Sequence, residues 1–460
     1  MEPSDKPGYL DLLFYCFILI LCYFSFNHSD ILYPGGSSFT YLNGHIKDFY
    51  KVNSGLELGN NYLPSSYILF AIWNIPMKLL GIMSEATVDV GYLIFWYKFL
   101  TTLFLAAASF FMYKIGRTIG LSSQNSKLLT ILWLSSPILF FGQFIFGQID
   151  IFTIFFALAG LYYFLQKRIM LFILFFSISF TFKYFTFFMF LPLLLLIEKK
   201  PLKLVGYLLL ALLPVALEIL FYINSPEFVS GVVGFTGAAP RLFQAYLSVF
   251  QGINIYLFPF LWFVICGVCF YIDLSKDKLV FYQVSLYICL TVLCLLFMLI
   301  LWGPHWITIL TPFLAVNLFM NKRIKYFLLL DFIMMFAFVG YTVSVFQMNV
   351  DQQLFGCGVL GKFNPNLFIP ENTLTMNTFF SPVNLSFAGF WSIYFTLFCA
   401  TLILYILFNF PSKENTWKDC ATLTPVNEYW NYARLRFFGG VTIFIIPAFF
   451  IYFYTLFRYR

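Results

Sequence analysis

The sequence predicts an all-α, polytopic membrane protein with about 11–13 transmembrane helices, and three observations carry that expectation. First, 61% of its 460 residues are hydrophobic and only 10% are charged, whereas a soluble domain carries roughly a quarter charged residues. Second, apolar runs of about 18 residues or more recur along the chain, the length that crosses roughly 30 Å of hydrocarbon. Third, lysine and arginine gather between those runs, at Lys114/Arg117/Lys127, Lys167/Arg168, Lys199/Lys200/Lys203, Lys276/Lys278, Lys322/Arg323/Lys325 and Lys413/Lys418/Arg434/Arg436. Placing every cluster on the cytoplasmic side makes the spans alternate without strain.

The elements follow in order. The segment 8–27 is too long and too acidic at its start for a signal peptide, and no small-residue cleavage site follows. It reads as a retained first span with the N-terminus in the cytoplasm. Next comes "NNYLPSSYILFAIWNIPMKLLGI", Asn60 to Ile82, apolar but broken by Pro64 and Pro76. Counted as a span it would reverse every later loop, so it reads as a juxtamembrane helix against the outer leaflet. Further spans are expected at 90–114, 126–142, 149–166, 168–183, 184–198 and 203–223, then at 254–272, 279–301, 305–320, 325–346, 387–409 and 437–457. The outer loops 27–89, 224–253 and 347–386 are long, and the inner segment 410–436 is too short for another domain. With no internal repeat, residues 1–460 form a single transmembrane domain.

The net charge of +7 is spread over short loops and forms no stripe for nucleic acid. The nine cysteines lie mostly within spans, and only Cys357 falls in an outer loop, so no disulfide framework is expected. Cys266-x-x-Cys269 sits in an apolar helix without partner ligands and reads as two small hydrophobes. The chain lacks a Walker loop, HExxH, G-x-S-x-G and His/Cys metal spacing, so nucleotide hydrolysis, zinc chemistry and serine hydrolysis lose their usual supports. No cofactor is expected, and no metal is assigned.

All three histidines, His28, His45 and His305, fall on the outer side of this topology, with Asp30, Asp48, Glu57, Asp150, Glu227, Arg241, Asp351 and Glu371. Asp30 follows the first span by a few residues; it suits a half-desolvated general base, or an acid that merely ends a helix. His45 and Asp48 share its loop, in "HIKDFY", where a surface pair of Asp48 with the adjacent Lys47 is the plainer reading. Asp150 closes "FGQFIFGQID" beside Gln143 and Gln148. It reads either as the N-cap of the next helix or as part of a polar cluster facing a cavity. Lys183 stands alone among aromatics in "SISFTFKYFTFF", Arg241 lies in "FTGAAPRLFQAY", and His305 lies between Trp302 and Trp306. Each cation alone fits a solvated or snorkelled role. Together they face two carboxylates, a combination suited to a ligand with a phosphate and a hydroxyl to activate. Lys98, Glu218 and Asp331 lie in or near spans, where they pair across helices or mark a polar cavity.

The order of these features resembles the GT-C superfamily of integral-membrane glycosyltransferases, which use polyprenyl-phosphate-linked sugars. "HIKDFY" and "NNYLPSSYILFAIWNIPMKLLG" look like its juxtamembrane helices and Asp30 like the acid that opens its first outer loop. "FGQID" looks like its second acidic site, and "FKYFTFFMFLPLLLL" and "GPHWITILTPFL" resemble its Lys- and His/Pro-bearing helix starts. The likeness runs in order over about residues 1–320; residues 321–460 add helices and an outer loop without counterpart. It implies an inverting transfer of a sugar from a polyprenyl-phosphate donor to an acceptor hydroxyl on a glycan or lipid-linked acceptor, outside a bacterial cell membrane. Asp30 and Asp150 would be catalytic, with Lys183, Arg241, His305, Gln148, Asp48 and His45 binding substrate. No Asp-x-Asp pair in the first outer loop marks a metal-dependent version. A transporter or flippase of lipid-linked saccharides, or a polymerase, is the alternative.

Overall fold

In lipid, backbone amides and carbonyls must be satisfied within the protein, and a chain this apolar meets that condition by forming helices. The computed structural model describes residues 9–26, 28–88, 93–234, 240–250, 252–274, 277–321, 324–346, 390–412, 417, 430, 431, 433–440, 442, 446, 453 and 457. The expected outer loop 347–386 and Cys357, Asp351 and Glu371 within it lie outside the described residues.

The chain opens with α1 (Tyr9–Ser25), followed by the short helices α2 (Leu32–Ser37), α3 (Phe39–Leu42) and α4 (Phe49–Gly55) and the longer α5 (Pro64–Leu79). On α5 the exposed Ile68, Ile72, Ile75 and Leu79 recur at helical spacing, while Tyr67, Phe70, Ala71 and Asn74 are buried on the other side. An outward apolar face suits contact with a membrane leaflet. "HIKDFY" does not form one helix: His45–Asp48 are turn and bend, and α4 starts at Phe49.

Next come α6 (Ile94–Thr118), α7 (Ser123–Leu134) and α8 (Pro137–Phe140), the last running into a π-helical segment, Phe141–Phe146. The single span expected over 126–142 is instead bent by 58°. Pro137 has no amide to continue the helix, and it holds Ser136 in an extended conformation. Then follow α9 (Asp150–Leu165), α10 (Ile169–Phe182), α11 (Phe187–Ile197), α12 (Pro201–Tyr222) and the one-turn α13 (Pro226–Phe228).

One element departs from the all-α expectation. β1 (Tyr246–Phe250) and β2 (Ile253–Tyr256) form an antiparallel hairpin with Tyr246 opposite Tyr256. Its aromatic and β-branched residues favour strand, and Gly252, at φ +79°, supplies the left-handed turn residue. The remaining helices are α14 (Leu257–Tyr271), α15 (Lys278–Leu299), α16 (Thr311–Met320), α17 (Ile324–Val345) and α18 (Trp391–Phe408), with helix again over 433–440.

Among the described residues five helices are long and apolar enough to cross a membrane: α6, α12, α15, α17 and α18. The bent α7–α8 unit makes a sixth if counted as one span, and six shorter apolar helices of 10–17 residues accompany them. α15 runs through the interior, α9 packs between α6 and α10, and α17 packs on α18. α12 is peripheral, with only Ala211 and Tyr222 buried. A separate aromatic cluster of Phe49, Tyr50, Tyr67, Tyr222 and Phe228 ties the first loop to the end of α12.

Two of the polar residues expected in or near spans, Glu218 and Asp331, have structural partners. Glu218 accepts from the backbone and hydroxyl of Ser65, so α12 supplies a carboxylate to the amide-rich start of α5. Asp331 pairs with Arg436 and accepts from the Tyr405 hydroxyl. Arg436, expected in an inner basic loop, is instead buried, and it also donates to the Leu132 carbonyl at 2.7 Å. The seven described cysteines are free.

Candidate active site

Two backbone segments carry the acids: 26–30, leaving α1, and 141–150, leading from α8 into α9. Lys98 on α6 holds both. Its Nζ donates to the carbonyls of Tyr23 at 2.7 Å and Phe26 at 2.9 Å, and to Phe144 at 3.0 Å. The first two lie at the C-terminal end of α1, where helical carbonyls lack partners within the helix. Lys98 is fully buried, and these three carbonyl dipoles face its charge. Gly147, at φ +74°, then turns the chain towards α9, and a Cβ there would press on the Lys98 side chain at 3.2 Å.

From this frame the side chains converge. Gln148 Nε2 donates to Asp30 Oδ2 at 2.9 Å. The Asp30 amide donates to His28 Nδ1 at 3.2 Å, and Asp30 Oδ1 stands 3.4 Å from the same nitrogen. Phe146 is sandwiched between two imidazoles, with ring centroids 3.9 Å from His28 and 4.8 Å from His305. Asp150 is the first residue of α9, and no side chain caps that helix. The N-cap reading therefore fails: its Oδ1 accepts from Lys183, and His305 Nε2 stands 3.6 Å from Oδ2. Gly142 lets the π segment close on this loop, since a Cβ there would overlap the Thr308 hydroxyl.

Trp306 forms the platform beside this cluster. Lys183 Nζ and Arg241 Cζ each lie 4.8 Å from its ring centroid, within cation–π range. Arg241 also donates to the Leu301 carbonyl at 3.2 Å. Partial burial lowers the Arg241 pKa; a guanidinium is charged in proteins at neutral pH. The half-buried Tyr62 phenol is raised well above its ordinary pKa, first by burial and then by the carboxylates of Asp30 and Asp150. It remains a neutral hydroxyl within reach of both charges.

Exposure separates the acids. The Asp30 side chain is 39% exposed, whereas Asp150 is 5% exposed. Only the first is open to an arriving hydroxyl. Asp150 Oδ2 and His305 Nδ1 are buried without a hydrogen-bond partner among the described residues.

Five of the expected residues join Asp30 here: Asp150, Gln148, Lys183, Arg241 and His305. Lys183, for which snorkelling was the plainer expectation, is 13% exposed and ion-paired. His45 and Asp48 pair with each other at 3.1 Å, both about half exposed, and Asp48 acts on Tyr222 of the aromatic cluster. Gln143 donates to Thr101 at 2.9 Å, in the frame of α6. Sequence reasoning left His28 without a role and Lys98 between pairing across helices and marking a polar cavity. The nearness of His28 to Asp30 was the available signal for the first; nothing local marks the carbonyls that Lys98 meets.

Among the described residues no group of three or more His, Cys, Asp and Glu side chains is placed to hold a metal ion. No family model, curated protein or solved structure matches the chain.

Proposed function

We propose that this protein is an inverting membrane glycosyltransferase, moving a sugar from a polyprenyl-phosphate donor to an acceptor hydroxyl at the outer membrane face. The observation that carries the reading is the meeting of one accessible carboxylate, one buried ion-paired carboxylate, a lysine, an arginine and two imidazoles at a single end of the helices. A mobile ion or a structural clamp needs fewer groups; a phosphate leaving group opposite a hydroxyl uses all of them.

Asp30 is the base. Gln148 fixes Oδ2, and Oδ1 takes the acceptor proton as the hydroxyl oxygen attacks the anomeric carbon. The bond from that carbon to the phosphate oxygen breaks on the opposite face, and the electron pair leaves with polyprenyl phosphate. Lys183 and Arg241, held over Trp306, receive that charge. Asp150 and His305 set the position of Lys183. General-base help is worth about 10²–10⁴ in rate, and a single charge-stabilising donor about 10²–10³.

Helix length supports a recessed site. α9 and α10 have 16 and 14 residues, about 24 and 21 Å at 1.5 Å per residue. Both fall short of roughly 30 Å of hydrocarbon. Their Asp150 and Lys183 ends then sit just inside the bilayer surface, within a side chain's reach of a lipid-borne phosphate. We place the N-terminus and the basic loops in the cytoplasm and count eleven to thirteen crossings, about the number the long and short apolar helices permit together.

A transporter would place its polar residues at mid-membrane around broken, repeated helices. Here the buried charges at other depths, Lys98 and the Asp331–Arg436 pair, are spent on fixed structural partners. The reading is tested by Lys183→Met, which should leave the protein folded but cut transfer by about 10²–10³. Full activity in that variant would remove the leaving-group role.

A further inference from the structure

At the other end of α9, about 24 Å from Asp150 along the 16-residue helix, a second polar site has nothing to do with transfer. A cavity of about 780 Å³ opens there between the α9–α10 turn and the start of α15, reaching Thr118 at the end of α6. Lys167, Arg168 and Lys278 line it, with Gln166 and the Tyr282 ring, and among the described residues no carboxylate does. The adjoining cavity differs: its Lys167 and Lys199 are matched by Glu198 and Asp273.

Ring faces hold two of the three cations, and among the described residues none of the three is in an ion pair. Lys167 Nζ lies over the Phe281 ring and Lys278 Nζ over the Tyr282 ring, each 5.6 Å from the centroid. A ring face fixes an ammonium while leaving its N–H donors available. The nearest acid in sequence, Asp277, spends Oδ1 on the backbone amides of Leu279 and Val280 at the start of α15.

Backbone conformation adds an independent observation. Lys167 has φ +60°, one of two non-glycine residues with positive φ among those described. Its amide donates to the Phe164 carbonyl at 2.8 Å, and the Arg168 amide donates to the Tyr163 carbonyl at 2.9 Å. That pair of bonds is the Schellman ending, whose left-handed position is ordinarily glycine because a Cβ is strained there. The chain accepts the strain and gains a cation in the cavity.

We propose that this cavity is a binding site for a phosphate group on the face of the membrane opposite the transfer site. Two sources share that chemistry: an anionic lipid headgroup of the adjacent leaflet, and a free phosphate compound. A merely basic surface would attract anions diffusely, with no saturation and with full screening by salt. A site would saturate at one per chain, because Lys167, Arg168 and Lys278 converge on one volume and charge-assisted bonds act together.

The test uses the purified full chain in a neutral detergent at physiological salt, titrated with dioctanoyl phosphatidic acid, inorganic phosphate or dioctanoyl phosphatidylcholine. Calorimetry reads binding and thermal unfolding reads stability. Phosphatidic acid should bind one per chain and raise the melting temperature, while phosphatidylcholine should do neither. Lys278→Gln should weaken binding by about tenfold or more. Lys167→Gly is the sharper variant: relieving the left-handed strain should raise the melting temperature of the ligand-free protein while abolishing the ligand-induced rise. Equal saturable binding of inorganic phosphate would keep the site and assign it to a soluble phosphate. Non-saturating binding, an equal response to phosphatidylcholine, or unchanged affinity in both variants would overturn it. None of these readouts depends on sugar transfer, so the two readings stand or fall separately.

Discussion

Asp30 and Asp48 are carboxylates of one loop, yet different neighbours hold them. Asp30 is fixed by Gln148 beside the buried pair of Asp150 and Lys183, whereas Asp48 lies half exposed against His45. Asp30→Asn keeps shape and polarity but removes the base, so turnover should fall by about two orders of magnitude or more with donor affinity nearly unchanged. Asp48→Asn should change turnover only several-fold, since an exposed pair contributes about 0–1 kcal/mol. Steady-state kinetics on both variants separates them, and near-normal turnover in Asp30→Asn would move the base elsewhere. Asp30, Asp150, Lys183, Arg241 and His305 were legible as candidates because charge is scarce in this chain and these five fall on one side of it. That Lys183 and His305 both meet Asp150 was not legible, because their segments lie far apart in sequence and only packing brings them together.

Among the elements, the joints matter more than the rods. Lys98 ties the end of α1 to the π segment before α9, so it sets the spacing between the two acidic segments. Lys98→Met keeps much of the volume but orphans buried carbonyls, each worth about 1–3 kcal/mol. Amide exchange should therefore rise together over residues 26–30 and 144–150, and kcat should drop more than KM rises. Unchanged exchange in both segments would deny Lys98 that role. The bent α7–α8 unit had a visible cause in Pro137. The β-hairpin did not, since a short aromatic, β-branched run beside an apolar helix carries no periodicity that separates strand from helix. The buried pair of Arg436 and Asp331 was hidden for another reason: the two residues are far apart in sequence and belong to different elements. Arg436→Met alone strands a buried carboxylate and should cost about 3–5 kcal/mol in thermal or denaturant unfolding. Adding Asp331→Leu should recover most of that loss; a double variant as unstable as the single one would contradict it.

At the scale of the molecule, polarity is sorted to the two ends of the helices. One end holds Asp30, Asp150, His28, His305, Lys183 and Arg241; the other holds Lys167, Arg168 and Lys278 at the α9–α10 turn. Composition and the basic clusters made this sorting legible, because charge between the ends is tolerated only where protein partners enclose it, as for Lys98 and the Asp331–Arg436 pair. Cysteine labelling checks its direction in the membrane: Gly36→Cys in a cysteine-free background should react from outside intact cells, and Lys200→Cys should not. Labelling of the second from outside would reverse the sidedness. The most direct measurement follows the donor itself. Purified protein in detergent, given labelled polyprenyl-phosphate sugars and a glycan and lipid extract as acceptor, should release polyprenyl phosphate with no membrane gradient. Release should be about a hundredfold slower in Asp30→Asn. Movement of the intact lipid-linked sugar across a vesicle bilayer, with no polyprenyl phosphate released by either protein, would contradict the account.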